Sequence, residues 1–79
     1  KIFSISIGCS IGEGTLAEGG SLIEKKFSNV EIGCYPWFKA GVYGTSLVVR
    51  SLNSDKVKNV KKEIENLIIK QGGKPKIIS

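Results

Sequence analysis

The sequence contains no histidine and no methionine, and only one tryptophan, two prolines and two cysteines among 79 residues. Without histidine there is no Ser–His or Cys–His pair to generate a nucleophile. Cys9 and Cys34 show no Cys-x-x-Cys spacing and fall short of the roughly four ligands of a zinc site. Both are expected to be small buried hydrophobes, kept reduced in a cytoplasmic setting. The seven carboxylates are scattered and form no acid–base pair. Catalytic, cofactor-binding and metal-ligating residues are therefore not expected in this chain. No apolar run approaches the roughly 18 residues that span a bilayer. Lys1-Ile2-Phe3, followed by alternating Ser and Ile, is not a signal peptide. No membrane partner is expected.

What is present is enough for one small domain, residues 1–79, near the lower size limit for independent folding. The net charge is +5, from 12 basic and 7 acidic residues. Seven of the basic residues lie between Lys56 and Lys76 and read as a solvated helix face rather than an anion-binding surface. Phe3, Ile5, Ile7 and Cys9 alternate with Ser4, Ser6 and Gly8, which predicts a strand with one buried face. Ser10 to Gly14 form a turn. Its glycines read as structural rather than as a phosphate cradle, because Glu13 repels phosphate and neither a Walker A loop nor a dinucleotide pattern is present. Thr15 and Glu18 have the spacing of a capping box, which predicts a helix starting there. Leu16, Gly20, Ile23 and Phe27 line one helix face, and Gly20, more than Gly19, is expected to let the helix approach a sheet closely. Asn29 suits a left-handed terminus.

The middle of the chain predicts a hairpin. Val30, Ile32 and Cys34 alternate in a second strand that Pro36 should end. Trp37 to Gly41 would form the tip, and a third strand should begin between Val42 and Thr45. That strand is apolar on both faces through Leu47, Val48, Val49 and Leu52, as expected of a central strand. Asn53 or Ser54 caps a second helix whose stripe is Val57, Val60, Ile64, Leu67 and Ile68. Gly72-Gly73 closes it, and Pro75 precedes a short edge strand at Ile77-Ile78. The order β-α-β-β-α-β predicts an α+β, split β-α-β, ferredoxin-like two-layer sandwich. Its antiparallel sheet has the order 4-1-3-2, with both helices on one face.

Pro36, Trp37, Phe38 and Tyr43 crowd the hairpin with large apolar groups. They form either an interaction patch or, for Trp37, a cover over Val48 and Leu52 on the open sheet face. Nucleic-acid binding of the RNA-recognition-motif type is not expected. Phe3 is in phase with the core residues, and the third strand carries no stacking aromatics.

Phe27-Ser28-Asn29-Val30-Glu31-Ile32-Gly33-Cys34-Tyr35-Pro36-Trp37-Phe38 and Gly41-Val42-Tyr43-Gly44-Thr45-Ser46-Leu47-Val48-Val49-Arg50-Ser51 resemble the C-terminal domain of CinA-type proteins. These are the competence/damage-inducible A proteins and their molybdopterin-binding-like relatives. That family's pattern is Phe-Pro-x-Val, Ile-Gly-Ser-Tyr-Pro and Gly-Thr-x-Leu-Val-Leu-Arg; Ser28 stands in place of the proline and Cys34 in place of the serine. Gly12-Glu13-Gly14-Thr15-Leu16-Ala17 resembles its Glu-Gly-x-Ile-Ala segment. The resemblance implies a KH-like domain excised from a larger parent. That parent would carry an N-terminal molybdopterin-binding-like domain, with pyrophosphatase or amidase activity on nucleotides. No active-site residue falls in this segment. The implied role is a non-catalytic accessory domain whose partners are that N-terminal domain or a second subunit in a homo-oligomer. A nucleic-acid-binding module and a small-molecule regulatory domain of the ACT type share the element order.

Overall fold

A computed structural model describes residues 1–78, at Glu13 the backbone alone. The Glu13 side chain, expected to repel phosphate, lies outside the described residues. The elements are β1 (Phe3–Cys9), α1 (Glu13–Lys26), β2 (Val30–Lys39), β3 (Val42–Ser51), α2 (Ser54–Lys70) and β4 (Lys76–Ile77). The sheet order is β2-β3-β1-β4, antiparallel throughout. This is the α+β, ferredoxin-like arrangement that the sequence predicts.

One face of the sheet is apolar because alternation puts Ile7, Cys9, Val30, Leu47 and Val49 on the same side. They are buried against Leu16 and Ile23 of α1 and Val57, Val60, Ile64 and Ile68 of α2. Both helices therefore cover one face, and Phe3 packs against this core. Asn53 caps α2 as expected, its Oδ1 accepting from the N–H groups of Asp55 (2.9 Å) and Lys56 (3.2 Å). Gly72, at φ +86°, closes the helix, and the Gly73 N–H returns to the Ile68 carbonyl at 2.9 Å. Asn29 takes the left-handed conformation expected of it, at φ 60°. β3 separates β1 from β2, so Cys9 and Cys34 lie two strand spacings apart, about 9.6 Å. That is beyond the roughly 7 Å between Cα atoms that a disulfide spans, and they form none with each other.

Three expectations are corrected. There is no capping box at Thr15: α1 opens at Glu13 with Gly12 as its N-cap, and the Thr15 N–H donates to the Gly12 carbonyl within the first turn. A tertiary bond fixes this start, since the Thr45 hydroxyl donates to the Ile11 carbonyl at 2.7 Å and anchors the turn to β3.

Gly19 and Gly20 of α1 exchange roles. A Cβ at Gly19 would meet Leu67 of α2 at 2.6 Å, whereas a Cβ at Gly20 would meet Leu47, Cys34 and Ile32 at an ordinary 3.6–3.9 Å. Gly19 therefore makes the close approach, and it does so between the two helices rather than between helix and sheet.

Pro36 does not end β2, which pairs with β3 as far as Lys39. The reason lies at the sheet edge. The Ile32 N–H points away from β3 and donates to the Glu24 carboxylate at 2.8 Å. Pro36 has the same parity, so its missing N–H removes no ladder bond. The tip is then Ala40-Gly41 alone, both at positive φ (52° and 80°), a two-residue turn of the I′ kind that matches strand twist.

Candidate interaction surface

The pairing of β1 with β3 reaches Thr45 and stops. Beyond it, Gly44, Tyr43 and Val42 pair only with Trp37, Phe38 and Lys39. The last three rungs of the hairpin are thus a two-stranded arm with no third strand beside it. Its sequence allows this because the arm needs only alternating large residues and a tight turn, which Ala40-Gly41 supplies.

The four expected patch residues divide between the two faces of the arm. Phe38 and Tyr43 are directly opposite each other, on the side of the sheet that carries the helices. Their rung has the parity of Ile32 and Pro36, so it is a non-hydrogen-bonded pair, where side chains come closest. The helices do not cover them: Phe38 is 75% exposed and Tyr43 62%. Tyr43 reaches back towards the turn before α1, where a Cβ at Gly12 would lie 3.5 Å from its ring. Pro36 shares this face and is exposed.

Trp37 is on the opposite, helix-free face, paired with Gly44. It is half-buried, and its indole occupies the space a side chain at residue 44 would take. It does not cover Val48 and Leu52. Leu52 is 72% exposed at the far end of β3, and the register through Pro36 holds the indole at Gly44 instead.

Two contributors escape a reading by periodicity. Gly44 is the bed for the indole, and a Cβ there would also collide with the Cys9 carbonyl. A glycine in a strand opposite an aromatic is the available signal. Glu24 closes the β2 edge at Ile32, a role that no spacing within α1 reveals. No cluster of potential metal ligands occurs among the described residues.

The family model described as FAD synthase, middle domain, matches residues 1–74. No curated protein matches the chain. Among solved structures, the de novo designed protein Foldit4 is similar at a TM-score of 0.80 and 9% identity, covering 99% of this chain and 94% of that one. A designed protein with ferredoxin fold, LFR1 1, is similar at 0.69 and 12%, covering 98% and 82%. The intact α subunit of aIF2 from Pyrococcus abyssi is similar at 0.61 and 14%, covering 100% of this chain but 33% of that one. At these identities the likeness is one of fold.

Proposed function

We propose a docking role for this chain, which belongs to the FAD synthase, middle domain, family. It is a non-catalytic accessory domain that packs on a neighbouring domain of its parent, or on a second subunit, through the Phe38–Tyr43 face of the hairpin arm. The observation that carries this is the pair of large rings held opposite each other, mostly in solvent, on an arm that the helices do not cover. Exposed aromatic clusters mark interfaces, and such rings dominate their energies.

A family described as a middle domain supports an origin between other domains, and the parent is then an FAD synthase-like protein. The CinA-type resemblance supports a molybdopterin-binding-like domain on the N-terminal side. Both point to a cytoplasmic, nucleotide-processing parent. The absence of histidine supports leaving its chemistry to the other domains. No helix among the described residues is long and apolar enough to cross a membrane.

The test is the double substitution Phe38→Ser, Tyr43→Ser. In the isolated chain the denaturant midpoint should stay nearly unchanged, because the rings are exposed. In the parent protein the same change should loosen the domain, seen as faster proteolytic release. Unfolding of the isolated chain with no effect on the parent would show the rings to be structural.

A further inference from the structure

The helix-free face of the sheet holds a groove of about 620 Å³ that the docking role does not use. Its floor is Ser46 of β3; Gly8 of β1, opposite it, is buried beneath the Ile78 side chain. One wall is Trp37 of β2, whose indole fills the space above Gly44. The other is Ile78, whose side chain leans over Gly8 from the β4 side, with its N–H bonded to the Ser6 carbonyl at 2.8 Å. Three lysines surround this slot. Lys39 follows Trp37 on the same strand face, about 7 Å further along β2. Lys74 and Lys76 stand on the β4 side. Among the described residues none lining the groove is acidic, and none forms an ion pair with these lysines.

We propose that this groove binds a nucleotide: a planar ring stacked on Trp37 over Ser46, between the indole and Ile78, its phosphate held among Lys39, Lys74 and Lys76. Stacking on an indole tolerates any base, because every base presents a π-face. The ammonium groups of these lysines supply the charge that the phosphate requires. The same chemistry is offered by a free mononucleotide and by one residue of a single strand.

Trp37 is the only tryptophan, so its fluorescence reports the site directly. The chain is titrated with AMP, adenosine, inorganic phosphate and a short single-stranded oligodeoxyadenylate. AMP should quench saturably, adenosine more weakly, and phosphate not at all. A strand that binds far more tightly than AMP, with affinity falling steeply as salt rises, identifies the nucleotide as part of a nucleic acid. Equal affinities identify a free nucleotide. In backbone NMR the amides of Gly8 and Ser46 should shift on binding. Trp37→Ala removes the fluorophore, so its binding is read from the same amide shifts, and it should be weakened by about tenfold, the scale of one stacked base. The triple change Lys39→Ala, Lys74→Ala, Lys76→Ala lies on exposed residues and should leave the fold intact while weakening binding by about tenfold or more. The proposal is overturned if neither AMP nor the strand quenches saturably, if the lysine variant binds unchanged, or if the shifts fall on the helix side.

Discussion

A methyl group added at residue 20 should stabilise this protein, although that glycine is buried. Its Cβ would rest 3.6 Å from Leu47 and 3.8 Å from the Cys34 sulfur, in ordinary contact. Gly20→Ala should therefore gain about 1 kcal/mol of helix propensity, seen as a higher denaturant midpoint. Gly44→Ala should act in the opposite sense. There the new Cβ meets the Cys9 backbone carbonyl, which cannot rotate away, as well as the Trp37 ring. A loss of about 1–3 kcal/mol is expected, as for an overpacked site, together with a red-shifted Trp37 emission as the indole is lifted off its bed. An unshifted spectrum with wild-type stability would mean that residue 44 is not the seat of the indole. Neither sign is legible in the sequence, where Gly20 lies on the apolar stripe and Gly44 sits in a strand. What decides them is the atom across the gap.

At the scale of elements, α2 is the part most fully written in the sequence. Val57, Val60, Ile64 and Ile68 are buried as their spacing predicts, and the Asn53 cap is in place. Ile64, fully buried, should cost about 2–5 kcal/mol when changed to Ala. Lys58→Ala, on the exposed side, should stay within about ±0.5 kcal/mol. Equal losses in the two midpoints would mean that the faces are misassigned. β1 was equally readable, because strict alternation with Ser and Gly admits only one buried face. The end of β2 was not. Whether a proline breaks a strand depends on whether its N–H faces a partner, and that follows from the sheet order and not from local sequence. The same ignorance of the sheet displaced the hairpin tip, since Ala-Gly is a weaker turn signal than Asn-Gly. It also put Trp37 with Phe38 and Tyr43 in one patch, when two residues adjacent in a strand must face opposite ways. The start of α1 was misplaced for a related reason: the bond from Thr45 to Ile11 spans 34 residues.

For the whole molecule, the two-layer plan closes most of what a small sheet leaves open. The β2 edge is blocked by Glu24 at Ile32 and by Pro36, so strand addition there is disfavoured. β4 is two residues long and offers little template. On the helix side the surface left uncovered is the arm, and the account's central claim is that a neighbouring domain or subunit covers it. Hydrogen exchange, measured residue by residue on the isolated chain and on the parent protein, tests this most directly. Exchange at residues 37–43 should be fast in the isolated chain and slow markedly in the parent, while α2, already protected by its own core packing, changes little. Equal exchange across the arm in the two proteins, or new protection confined to the outer faces of α1 and α2, would contradict the claim.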